Sequence, residues 1–167
     1  MDAAQLRAVQ APLKQRYREQ PGTARTALAA TGRSSGSGVA FEVGQAAGAA
    51  RAGLHPAAGG DGRDACSGDM LLEALLACAG VTLRSVATAT GLDVRSVQGR
   101  AEGWFDARGT LGVDRAAPVG VQDLVVTFVV DTDADDAALA RLAAATERYC
   151  VVGASLATPP RIAVRRA

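Results

Sequence analysis

Ser67-Gly68-Asp69-Met70-Leu71-Leu72-Glu73-Ala74-Leu75-Leu76-Ala77-Cys78 is the stretch on which the reading of this 167-residue chain turns. From Met70 it runs on to about Thr90 with Gly80 as its one glycine, which predicts a long helix. Ser67 is placed to cap it, Asp69 suits the positive end of the helix dipole, and Gly91 closes it. Leu71, Leu72, Leu75, Leu76, Ala79, Leu83 and Val86 cover more than one face, and a helix apolar nearly all round belongs in the middle of a structure. Glu73 and Arg84 interrupt it. The uncharged part between them, from Ala74 to Leu83, falls short of the ~20 residues a membrane span requires, so no membrane role is expected.

Downstream, residues 94 to 105 alternate. Val97, Gly99, Ala101, Gly103 and Phe105 fall on one face, and Gln98, Arg100, Glu102 and Trp104 on the other. The small residues would let a helix approach closely. Val121 to Val130 reads as a second strand, apolar enough to be covered on both faces. Thr132 and Asp133 open a helix with Asp135 and Asp136 in its first turn and Leu139, Leu142, Thr146 and Cys150 on one stripe. After Pro159 and Pro160, Ile162 and Val164 alternate in a short last strand.

Upstream, Leu6, Val9, Leu13 and Tyr17 lie at helical spacing, with Pro12 expected to kink that helix or confine it to one side. Residues 26 to 30, a Gly/Ser turn at 31 to 38, and the alternating Val39, Phe41 and Val43 predict a hairpin. Residues 44 to 68, mostly Ala and Gly, read as a long loop. The chain thus divides into an N-terminal helical extension, 1–24, and one domain, 25–167. The order helix, hairpin, central helix, strands, helix, strand is α+β with a mostly antiparallel sheet.

Composition excludes several function classes. The 37 alanines nearly match the 41 larger apolar residues, so the core buries little area per residue and leaves room for a partner chain. A formal charge of +1 lacks the basic excess of a nucleic-acid binder. The N-terminus has neither the basic nor the apolar region of a signal peptide, so a cytoplasmic location and reduced thiols are expected. The three cysteines are then free and buried, metal-bound or redox-active. Metal is poorly supported, because there is no C-x-x-C and the single histidine, His55, sits in a Gly/Pro/Ala loop as an ordinary surface residue. Cys78 lies midway along the apolar helix and Cys150 at the end of the amphipathic one. Each alone reads as a small core hydrophobe, and reactivity would require a cation or a helix N-terminus to favour the thiolate. Cys66, before the central helix, looks like a bystander.

The segment Ser67 to Cys78 resembles the central helix of the OsmC/Ohr superfamily, where an acid precedes an apolar helix ending in Ala-x-Cys. Residues 108–114 (Arg-Gly-Thr-Leu-Gly-Val-Asp) with Pro118-Val119-Gly120 resemble its hairpin region. Thr146-Glu147-Arg148-Tyr149-Cys150 resembles its second cysteine segment. The 72-residue separation of the two cysteines and the element order fit as well, over roughly residues 25 to 165. The resemblance implies the OsmC-like fold, an intertwined homodimer with sheets wrapped around central helices and sites at the subunit interface. It also implies reduction of organic hydroperoxides in oxidative-stress defence.

On that resemblance Cys78 is the attacking cysteine and Cys150 the resolving one. Thr31-Gly32-Arg33 looks like the family's Gly-Gly-Arg turn, which makes Arg33 the cation supporting the thiolate. Asp69 matches the acid that orients that arginine, with Glu73 as the other choice. No cofactor or metal is implied. A small apolar hydroperoxide is the expected substrate and a dithiol, of the lipoyl type, the expected reductant. Two other readings stay open: a non-catalytic dimer binding a small apolar ligand at its interface, with core cysteines, and a scaffold or stress protein without pocket chemistry.

Overall fold

The computed structural model describes residues 2–25, 27, 30–34, 41–44 and 50–167, with the side chains of 31–34 and 41–44 left aside. Helix α1 (Ala3–Glu19) begins at a capping box in which Asp2 and Gln5 exchange side-chain and backbone bonds. Pro12 lies inside it without ending it, and no residue of α1 is buried. Strands β1 (Thr31–Ser34) and β2 (Phe41–Gly44) pair antiparallel with Arg33 opposite Glu42. The hairpin therefore exists, but its first strand occupies residues expected to form the turn. The expected strand at 26–30 and the rest of that turn lie largely outside the described residues.

The long loop expected at 44–68 is corrected. It contains β3 (Ala50–Gly53), a 3₁₀ turn at Pro56–Ala58 and β4 (Ala65–Cys66), giving one sheet of order β1-β2-β3-β4. Helix α2 (Ser67–Thr90) follows directly, capped at its end by Gly91 with φ 71°. Cys66, not Ser67, is its N-cap, and makes no side-chain capping bond.

Strand β5 (Ser96–Trp104), the short helix α3 (Ala107–Thr110), β6 (Gln122–Asp131), α4 (Asp136–Tyr149), α5 (Val151–Ala154) and β7 (Arg161–Arg166) complete the chain. The second sheet has the order β5-β6-β7, antiparallel in its first pairing and parallel in its second. The parallel β6/β7 pair needs a crossover connection to bring the chain back to the same end, and α4 and α5 supply it. Among the described residues three of the five pairings are antiparallel, as a mostly antiparallel architecture requires, and β3/β4 and β6/β7 are the parallel exceptions.

Leu124, Val126, Phe128 and Val130 of β6 are buried, while the residues between them are half-buried. Only one face of β6 is fully covered, against the expectation of two. On that face lie Leu75, Ala79, Leu83 and Ala87, spaced four apart on α2, with Leu139, Leu142 and Cys150 from the α4 end. Gly99 on β5 is the close-approach point. A Cβ there would stand 2.7 Å from the Phe128 ring and 2.9 Å from Leu76. Among the described residues α2 alone is long and apolar enough to cross a membrane, yet its buried row packs on protein.

Candidate active site

Two elements bring the cysteines together. Cys78 lies one position before the buried Ala79 of α2 and is half-buried. Cys150 ends α4 and starts α5: its N–H donates to the Thr146 carbonyl at 3.0 Å, and its sulfur accepts from the Gly153 N–H at 3.3 Å. Thr146 is itself buried, with its hydroxyl donating to the Leu142 carbonyl at 2.7 Å, so its polar group is satisfied inside the helix. At Gly153 a Cβ would meet Pro160 at 3.3 Å and the Cys150 sulfur at 3.4 Å, so the turn after α4 closes tightly around that sulfur.

In this packing the two thiols are hydrogen-bond neighbours, and their environments drive their acidities apart. Burial raises the Cys78 thiol, but the N–H of Val152, the Cys150 thiol and the N–H of Val151 together outweigh it, and its pKa falls below the ordinary value. Thr82 contributes least, because its one proton is given to the Cys78 carbonyl at 2.8 Å. Burial also raises Cys150, which is 1 % exposed. The Gly153 N–H opposes that rise, while Cys78 adds to it, since a neutral S–H is what a neighbouring thiolate prefers. Cys78 is therefore the acidic member and Cys150 the protonated donor. Environments that separate two titrating groups in this way fit a nucleophile and a proton-bearing partner.

The other residues singled out in the sequence are placed differently. Arg33 stands on β1, where its side chain lies outside the described residues. Asp69, in the first turn of α2, is exposed. It precedes Cys78 by nine residues, which at 3.6 residues per turn puts it on the opposite side of the helix and about 13 Å along it. Glu73 is also exposed, about 7 Å along the same helix. Neither acid is brought to the sulfur.

Cys66 lines a separate cavity of about 210 Å³ with His55 and Phe105. His55 is half-buried rather than a free surface residue: its Nδ1 accepts from the Ala57 N–H at 3.0 Å and its ring meets Phe105 edge-on at 5.2 Å. Among the described residues no group of three His, Cys, Asp or Glu is placed to hold a metal.

Sequence reasoning missed the main-chain N–H groups of Val151 and Val152, which take the place where a cation was sought. No residue type announces a backbone donor. Thr82, four residues after Cys78 and so on the same helix face, was readable in principle.

The family model for OsmC-like proteins matches residues 60–165, which contain both cysteines. Solved structures share the fold at low identity. An OsmC-like protein from Mycoplasma pneumoniae has a TM-score of 0.67 at 12% identity, over 85% of this chain and 96% of that one. An organic hydroperoxide resistance protein from Elizabethkingia anophelis has 0.67 at 11%, over 86% and 99%. The organic hydroperoxide resistance protein OsmC from Legionella pneumophila has 0.61 at 14%, over 86% and 99%. No curated protein matches the chain. With the family model spanning well over half of the sequence and the fold shared almost end to end with these structures, the chain belongs to the OsmC-like protein family.

Proposed function

We propose that the chain is a thiol-dependent peroxidase that reduces organic hydroperoxides, working as a homodimer in the cytoplasm. The observation carrying this reading is the Cys78/Cys150 pair, in which the Val152 N–H leads in making one thiol more acidic and burial leads in making the other less so, with their mutual contact adding to both. The likeness to the Elizabethkingia and Legionella organic hydroperoxide resistance proteins supports the same reading.

The Cys78 thiolate attacks the outer peroxide oxygen and the O–O bond breaks. The alkoxide leaves as the alcohol after taking a proton, and the Cys78 sulfur is left as a sulfenic acid. The Cys150 sulfur then attacks the Cys78 sulfur, water departs, and a disulfide forms; a dithiol reductant restores both thiols by exchange. Arg33 is assigned as a second, cationic support for the thiolate, and because Asp69 and Glu73 stand away from the sulfur on α2, neither is assigned to orient it. The apolar surroundings of the pair favour an alkyl or aryl peroxide over hydrogen peroxide.

Thiol titration with cumene hydroperoxide tests this. Wild type is expected to lose two thiols per chain and to consume peroxide when dithiol is supplied. Cys78→Ser is expected to consume none, and Cys150→Ser to make a single turnover and stall. Peroxide consumption by Cys78→Ser equal to wild type overturns the assignment.

A further inference from the structure

Helix α1 has no buried residue, and it forms one wall of a groove of about 470 Å³. Gln10 and Lys14 come from α1, Val81, Thr82 and Val86 from α2, and Tyr149 from the end of α4. Neither cysteine lines the groove, but two of its lining residues are linked to them. Thr82 lines it while hydrogen-bonding the Cys78 carbonyl, and Tyr149 immediately precedes Cys150. Ser85 and Ala89 of α2 line it as well, so its floor sets the apolar Val81, Val86 and Ala89 beside the hydroxyls of Thr82, Ser85 and Tyr149, and Lys14 puts a charge on its α1 wall.

Helix α1 as a whole is predominantly basic. Between Ala3 and Glu19 the helix carries four basic residues, Arg7, Lys14, Arg16 and Arg18, and one acid, Glu19. Glu19 already accepts from Gln15 at 2.9 Å, and Asp2 is occupied in the capping box. Lys14, the one lysine of the chain, has no ion-pair partner among the described residues. An ammonium without a counter-ion, on the rim of an apolar groove beside a nucleophile, suits a ligand with an anionic end and an apolar body.

We propose that α1 completes a substrate subsite in which Lys14 receives the anionic end of an acid-bearing organic hydroperoxide while its apolar body lies on Val81 and Val86. The inference rests on the peroxidase reading and assigns it a substrate class and a positioning residue. Lys14 acts on binding and orientation; it takes no part in breaking the O–O bond. The exposed ion pair weakens as salt screens it.

Cumene hydroperoxide and its para-carboxylate derivative differ only in the charged group, so their ratio of KM values isolates the subsite. Wild type is expected to show a KM for the carboxylate roughly 3- to 5-fold below that for the neutral peroxide, with similar kcat. Lys14→Gln is expected to abolish that difference without changing kinetics on cumene hydroperoxide. Lys14→Glu is expected to reverse it, and Lys14→Arg to retain it. Equal KM values in wild type, or a preference untouched in Lys14→Gln, overturn the proposal. Calorimetry with 4-isopropylbenzoate, which has no peroxide group, separates this from failure of the parent reading. Lys14-dependent binding of that carboxylate, without turnover of either peroxide, keeps the subsite and refutes the peroxidase. Absence of Lys14-dependent binding refutes the subsite whatever the turnover.

Discussion

At the scale of single residues, the chemistry depends on which sulfur carries the proton. Cys78 has the lowered pKa and Cys150 the raised one, and each shift owes part of its size to the other thiol. Because Cys78 deprotonates below the ordinary thiol range, its thiolate fraction and hence its rate with peroxide rise with pH and level off before a free thiol does. Single-turnover oxidation of Cys78, followed by dimedone trapping of the sulfenic acid between pH 5 and 10, is expected to show that early plateau. In Cys150→Ala the S–H donor is gone, and the midpoint is expected to move up toward that of an ordinary cysteine. A midpoint unmoved by that substitution would mean that the two thiols do not share a proton. The residues alone showed two cysteines that packed helices could bring together, each reading as a small core hydrophobe, and only the family resemblance singled them out as a pair. What activates it was not legible, since the donors beside Cys78 are the peptide N–H groups of two valines.

At the scale of elements, close packing of α2 on the second sheet depends on strand residues that have almost no side chain. Alternation of small and large residues along β5 predicted a face that a helix could approach, and Gly99 occupies that position, under Phe128 and Leu76. Gly99→Ala would push a methyl to within 2.7 Å of the Phe128 ring, forcing ring and helix apart. A loss of about 1–3 kcal/mol is expected, read as a lower urea midpoint with an unchanged m-value. A midpoint within error of wild type would show that the ring swings away freely. Elements with strong periodicity, α2, α4 and β6, were readable. The segment from 44 to 68 was not, because β3 and β4 are short strands of Ala, Gly, Arg and Cys whose partners are distant in sequence. Local composition says loop there, and tertiary pairing overrides it. The parallel β6/β7 pairing was not readable either: a strand–helix–strand order permits a parallel pair without requiring one.

At the scale of the whole molecule, one chain leaves its central helix poorly covered. Only 22% of the most apolar window of α2 is buried within the chain, although the helix is the middle element of the fold. The alanine-rich composition has the same consequence: small residues let helices come close, but they bury little area each, so the core gains most from a second copy packed against it. Homodimerisation is therefore expected to be part of folding rather than a later association. Sedimentation at micromolar concentration is expected to give a species of about 34 kDa, twice the 16.9 kDa chain. The unfolding temperature is expected to rise with protein concentration, because dissociation accompanies unfolding. A 17 kDa species at micromolar concentration, with an unfolding temperature independent of concentration, would reject the dimer and leave the exposed face of α2 as the surface of a stable monomer.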